Sequence, residues 1–588
     1  MKTNRVNLVT TSLKNLWDNN NKNRLLNRSC LPFSLKKIFE KYDYEFGPHP
    51  WDNRKNLIND YEYLKNLNVK ILRDLSKSLN KLHNTSYSIN YWRIALQPWL
   101  DIFLHSIFER WINLEQYFGK LNDYSTVFLI SDDRKLILND IDDTILKLRT
   151  DFFNHHIYKK ILMYKKIKYF KYLKDDGTYE IQYKSYKYKR GKIKSFLTDI
   201  TLFLNSFLYK KSNFFLIDTY LGRLNSFMLS LKLNSFGIPL VKKDFVNYEY
   251  NETLRQKLTI NLEDNDFEKF ISTLIHKFIP KSYVENYKSI NHSLSKLNWP
   301  KKPKIIFTAH SYREELILFY IAKKKELYSS KVFFGQHGGS FFQYLFNSGE
   351  DYQIVNSDFF FTWGDVPKEN KIYNIGILKP LKKIKYESKN KKILFVIKSL
   401  TKYTQQINSS SGVNQHIQHI NDLVKLINSL KKNINENVFL FRNHARFLGL
   451  DEEKIFKHYF PKSEHDDGKI KIRKLYKKSK LIVHTYYSTG ILETLALNYP
   501  SIVINNFKNT KFRKNAMINI KGLIDVGIIH QDFEKAKKHI LEINNNIEKW
   551  WYSEKVQKEI KLFCKIYAKK NMNIVSDIAK IFKKEMIF

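Results

Sequence analysis

The sequence predicts an α/β protein with two α/β domains in tandem, preceded by a large helical region and followed by a helical tail. Three observations carry this. From about residue 300 onward, strand-sized apolar runs alternate with helical stretches, the signature of βαβ units. Two such series occur, separated by a charged segment at Lys382–Lys392. Before and after them, apolar residues recur at three- and four-residue intervals.

Length and composition agree. At 588 residues the chain has room for two to four domains with real cores. Hydrophobic residues make up 43%, and the 18 Gly and 12 Pro together are only about a twentieth of the chain, which excludes disordered and collagen-like classes.

Taken in order, amphipathic helices are predicted within residues 1–130, clearest from Tyr61 to Leu82 and from Trp92 through Trp99 and Phe108 to Leu114. Residues 155–195 interleave Tyr with Lys. They read either as an exposed hairpin turning at Asp175-Asp176-Gly177 or as a surface that stacks bases or binds acidic glycan. The first α/β series has strands at Lys304–His310, Lys331–Gly335 and Asp358–Trp363, with a helix from Arg313 to Lys325. The second has strands at Ile393–Ile397, Val438–Arg442, Leu481–His484 and Ser501–Asn505, with helices from Gln415 to Lys431 and from Gly490 to Asn498. The tail from residue 534 is helical, anchored by Trp550 and Trp551. Domain boundaries follow at 1–385, 386–540 and 541–588.

The net charge of +43 would attract nucleic acid, anionic lipid or phosphorylated substrates. A bias toward Lys, Asn, Ile, Tyr and Phe, as in an AT-rich genome, raises charge equally without selecting a polyanion partner. Two cysteines, Cys30 and Cys564, exclude a disulfide framework and suit a cytoplasmic setting. No apolar run reaches the roughly 18 residues of a membrane span, and no secretion signal is visible.

Three segments can carry chemistry. In His484–Pro500 a buried strand ends in a polar turn, Ser488 and Thr489 start a helix, Gly490 follows and Glu493 lies one turn inside. Free amides and the positive helix end suit a phosphate, and Glu493 can accept hydrogen bonds from ribose hydroxyls. An ordinary capped helix would show the same residues. In Gly335–Ser340, Gln336, His337, Gly338 and Gly339 follow a strand, with His310 at the end of the preceding one. Either histidine can serve as a base near neutral pH, or as a plain structural hydrogen-bonding group. In Arg442–Arg446, Arg442 and His444 alternate on an extended chain and can grip phosphate, or lie in a solvated loop. The paired histidines 155 and 156 lack metal-ligand spacing, and no GxxxxGK[ST], GxGxxG or GxSxG motif occurs.

With these residues the sequence resembles the glycosyltransferases of the GT-B fold, whose two Rossmann-like domains face a cleft. More narrowly, it resembles a transferase family of bacterial surface-polysaccharide gene clusters. The likeness covers nearly the whole chain, through His49–Arg54, Leu79-Asn80 with His83, Tyr91–Leu100, Gly335–Gly339 and Ser488–Glu493. It departs at Arg442-Asn-His-Ala445, where related transferases often carry a proline. The resemblance implies an acceptor-side domain over 1–385, a donor-binding domain over 386–540, and sugar transfer from a nucleotide-activated donor to a surface glycan or lipid-linked precursor. It needs no metal or other cofactor, allows peripheral contact with an anionic membrane, and expects no nucleic-acid partner. Arg442, His444, Ser488, Thr489, Gly490 and Glu493 would hold the donor, His337 or His310 would act as base, and Gln336, Gly338, Gly339 and Arg93 would line the acceptor side. The competing functions are a CDP-alcohol phosphotransferase of the teichoic-acid polymerase type and a basic nucleic-acid-binding protein.

Overall fold

A computed structural model describes residues 5–174, 209–235, 239, 246–366, 370–387 and 391–587. Its strands form three parallel sheets. The first holds β1 (Val6–Val9), β2 (Asn23–Leu25), β3 (Tyr44–Phe46), β4 (Tyr124–Ile130) and β5 (Phe170–Lys174), in the order β3-β2-β1-β4-β5. The second holds β6 (Phe214–Leu216), β7 (Ile305–Thr308), β8 (Lys331–Gly335), β9 (Phe359–Thr362) and β10 (Ile372–Asn374), in the order β10-β9-β8-β7-β6. The third holds β11 (Lys392–Val396), β12 (Phe439–Arg442), β13 (Glu464–Asp466), β14 (Ser479–His484), β15 (Ser501–Ile504) and β16 (Ile529–His530), in the order β13-β12-β11-β14-β15-β16.

The second and third sheets are the two predicted α/β units, each with short edge strands that the apolar pattern did not mark. The first sheet corrects the purely helical expectation for residues 1–300. Its first three strands are only three or four residues long, and two carry buried asparagines at their centre or start. Asn7 Nδ2 donates to Asn23 Oδ1 at 2.7 Å, so polar groups occupy positions where an apolar run would have signalled a strand. β5 pairs in parallel with β4. The hairpin turn expected at Asp175-Asp176-Gly177 lies outside the described residues.

Two long helices, Arg54–His83 and Ile89–Glu115, join the sheets. Trp92 and Trp99 are fully buried in the second, which is apolar on every side from Ile94 to Leu104 apart from a few hydrogen-bonded polar groups. The C-terminal chain returns to the second sheet: Phe582 of the helix Ile574–Ile587 packs on Phe307, Phe333 and Phe361. Trp551 is fully buried and donates to Asn498 Oδ1 at 2.9 Å, as an anchor should.

Sheet order positions the site. In the third sheet the chain reverses its direction of travel between β11 and β14, which are parallel neighbours with Val396 opposite His484. Loops leaving such a switch point form the crevice where open α/β sheets hold ligands. Here these loops are residues 397–412 and 485–488, and they abut the loops leaving the second sheet.

Candidate active site

The helix Thr489–Ala496 begins at the switch point, with Ser488 as N-cap, its Oγ accepting from the Gly490 amide at 3.4 Å. Gly490 is required by packing from below. A Cβ there would stand 2.7 Å from the ring of His484, a fully buried imidazole whose pKa burial pushes down to about 3. Ser488, Thr489 and Gly490 remain partly open to solvent.

The glycine loop of the second sheet rests directly on this helix start. Gly339 N–H donates to Thr489 Oγ1 at 2.9 Å. A Cβ on Gly339 would come within 2.7 Å of the Ser488 carbonyl carbon and the Thr489 nitrogen, and one on Gly338 within 2.9 Å of Thr489 Oγ1. Both glycines are therefore needed for close approach of the two units. Gln336 fixes the loop from behind. Its Nε2 donates to Gly338 O at 2.8 Å, its Oε1 accepts from Trp363 N at 2.9 Å, and its carbonyl accepts from Trp363 Nε1 at 2.6 Å.

β7 and β8 are parallel neighbours, so His310 and His337, each two residues beyond its strand, open on one edge. Their ring centroids lie 5.6 Å apart, and Tyr312 packs 5.3 Å from His337 on another side. Burial pushes His337 down to about 4, reinforced by the charges of His310 and Arg313, so the ring is neutral at pH 7. Its Nδ1 is shielded from solvent and makes no hydrogen bond. His310 is exposed.

Glu493 is buried, and one of its oxygens accepts from Lys379 Nζ at 2.7 Å. Lys379 belongs to the segment linking the second and third sheets, and Tyr220, after β6, feels both charges. Sequence reasoning missed Lys379 and Tyr220, along with Asp218, which accepts from Ser311 Oγ. For Asp218 and Tyr220 the signal is backbone geometry that residue types do not display, and for Lys379 only the fold brings it to Glu493. Asp218, Tyr220, Ser340 and Phe342 all have positive φ, and all sit in loops at the same edge of the second sheet.

The other expected donor ligands are held differently. Arg442 Nη1 pairs with Asp466 on the neighbouring strand and donates to Ile470 O at 2.8 Å. His444 is exposed, and its Nδ1 accepts from the Arg446 amide at 3.1 Å. Among the described residues no hydrogen bond or ion pair ties either to Thr489 or Glu493. Gly468, with positive φ, lies against the Ala445 backbone and braces the turn where the proline is missing. Arg93 donates to Asn90 one turn earlier on its own helix at 2.8 Å and is not brought to the histidine loop by any contact. His155 is engaged by Thr10 Oγ1 and by the Leu129 amide, as a structural imidazole. No described helix is long and apolar enough to cross a membrane.

With this geometry in place, the comparisons are direct. The family model for LIC12162 family transferases matches residues 6–582. The chain belongs to the LIC12162 family of transferases. Among solved structures it is similar to the wall teichoic acid polymerase TagF soaked with CDPG, at 11% identity and a TM-score of 0.34, covering 68% of this chain and 99% of that one. It is also similar to S. aureus MnaA in a co-structure with UDP, at 10% identity and a TM-score of 0.36, covering 64% and 96%. A third similar structure is TarM, at 10% identity and a TM-score of 0.30, covering 48% and 54%. No curated protein matches the sequence. In this LIC12162 family member, the Gly338-Gly339 loop of the second sheet meets the helix start at Thr489 of the third.

Proposed function

We propose that this transferase moves a sugar from a nucleotide-activated donor to a surface glycan or its lipid-linked precursor. One observation carries the proposal: the Gly339 amide meets Thr489 Oγ1 at 2.9 Å, which brings the loop bearing His337 against an amide-rich helix start from the other sheet. The helix start at Ser488–Thr489 would stabilise the departing nucleotide phosphate as negative charge develops on it. Glu493, steadied by Lys379, would hold the ribose. His337 would take the proton of the acceptor hydroxyl, and an anionic substrate closing over it would raise its pKa toward the working range. Arg442 and His444 would reach the donor only if the turn after β12 moves on binding. Arg93 would serve the acceptor side only at a distance.

Peripheral contact with an anionic membrane is part of the same proposal. It is supported by the helix Gly222–Lys232, on which Leu224 and Phe227 are 72% and 58% exposed, with Lys232 at its end.

Calorimetry of UDP, GDP, CMP and CDP compounds against wild type, Thr489→Val and Glu493→Gln tests the donor site. Binding of one nucleotide that both substitutions weaken, with unchanged circular dichroism, is expected. Equal binding by all three proteins would remove the helix start from the site. Analysis of the product then separates the chemistry, since a phosphodiester in place of a glycosidic bond would mean transfer of a phosphoalcohol.

A further inference from the structure

A pocket of about 250 Å³ lies at the other loop of the switch point, between residues 397–412, the helix Arg54–His83 and the turn after β7. Three arginines line it, Arg54, Arg149 and Arg313, and no carboxylate does. Its floor is the N-terminus of the eighteen-residue helix Val413–Leu430, whose N-cap, Gly412, has no side chain to cap the first amides, while Gln415 Oε1 accepts from the Gly412 amide at 3.0 Å. Nothing lies within 4 Å of where a Gly412 Cβ would stand.

The cations here are built in. Arg54 is 9% exposed, donates to neutral acceptors, the Ser410 carbonyl at 2.6 Å among them, and leaves Nε without a hydrogen bond. Arg313 donates to Gln406 and also leaves a buried Nε unpartnered. Among the described residues neither arginine forms an ion pair. The nearest acids act on them without direct contact: Asp52, which accepts from Asn414 at 3.0 Å, lends its charge to Arg54, and Asp101, raised by burial to about 8, feels Arg313. Lys398 donates to Ser411 Oγ at 2.5 Å, and burial together with the charge of Arg54 lowers its pKa to about 8. A buried Arg54 and a half-buried Arg313, set around a helix start whose N-cap has no side chain, make a site that an anion would complete.

We propose that this pocket binds a phosphate-bearing group of a substrate, a pyrophosphate or phosphomonoester, at a place distinct from the helix start at Thr489. The inference goes beyond the donor site. Arg313 joins the two places, since it lines the pocket and its charge acts on His337.

Inorganic pyrophosphate is titrated calorimetrically into the full chain at low salt, using wild type, Gly412→Asp and Gly412→Asn. Asp at this open N-cap brings its own carboxylate to the helix start and arginines, while Asn has the same shape without the charge. Both are favoured N-caps, so neither should lower the melting temperature. The expected result is a binding event that Gly412→Asp weakens at least tenfold and Gly412→Asn leaves within about threefold. Absence of binding in wild type, or identical isotherms in all three proteins, overturns the proposal. With Thr489→Val titrated alongside them, binding lost in Thr489→Val but not in Gly412→Asp also overturns it, by placing the anion at the donor helix alone. Parallel titrations with UDP and with geranyl pyrophosphate assign the source. Weakening of UDP by Gly412→Asp means donor phosphate, and weakening of geranyl pyrophosphate alone means a lipid-linked acceptor.

Discussion

Replacing Gly339 by Ala tests whether the contact between the two units sets the crevice. The added methyl would stand 2.7 Å from two main-chain atoms of Ser488 and Thr489, and backbone cannot rotate out of the way as a side chain could. The loop or the helix start must therefore move. Overpacking of this kind costs about 1–3 kcal/mol, and losing the Gly339–Thr489 hydrogen bond adds about 1 kcal/mol. A displacement of about 1 Å between base and leaving group lowers turnover on the order of a hundredfold. The assays are nucleotide calorimetry, transfer rate and thermal melting, with Gly119→Ala as control because nothing lies within 4 Å of its added methyl. Gly339→Ala should lower the rate by roughly two orders of magnitude. Its melting temperature should fall, and the control should match wild type. A Gly339→Ala protein with wild-type rate and nucleotide affinity would refute the idea that this contact aligns the chemistry.

Other outcomes follow from buried charge. With His337 held at about 4, kcat/KM should stay level from pH 7 to about 5, and His337→Gln should lower it by about 10²–10⁴; an acid limb centred near 6.5 would exclude His337 as the base. Burial lowers both His105 and His484 to about 3, so between there and 6.5 the unfolded chain binds protons that the folded chain does not. Their contribution is complete above about 6.5 and is lost as pH falls, by about 1.4 kcal/mol per unit for each, which urea midpoints measured across that window should show. Arg110, fully buried, bonds Glu109 Oε2 at 2.9 Å, Asn154 at 2.8 Å and the Thr404 carbonyl at 2.7 Å. Arg110→Met should cost about 3–5 kcal/mol in chemical denaturation, because it strands a buried carboxylate; a loss under 1 kcal/mol would show that His49 and Asn113 suffice to hold Glu109. Phe227→Asp should release the protein from vesicles of anionic lipid in sedimentation, and equal pelleting of both proteins would remove that helix from the membrane contact.

The second and third sheets were legible because their central strands are buried on both faces. Such strands must be continuous apolar runs, as in Ile305–Phe307 and Leu481–Val483. The edge strands β10, β13 and β16 escaped notice because two or three residues cannot display a period. The first sheet was hidden by Asn7 and Asn23, which satisfy one another in the core. In the candidate site, the residue types around His337 and Thr489 stood out as polar turns after strands. Arg442 looked equally suitable, and only the fold reveals that Asp466 occupies it.

The sequence by itself determined which segments become parallel strands and which turns carry glycine, imidazole and a helix cap, since these depend on local sterics and on apolar continuity. Only the tertiary structure decided which turns meet. Residues 339 and 489, 379 and 493, and 54 and 410 lie far apart along the chain, and their proximity comes from sheet order and from close packing of the units, neither of which is encoded in a local pattern. The same holds for the charge state of His337, because an imidazole's pKa is set by the water and charges that the fold removes or brings near.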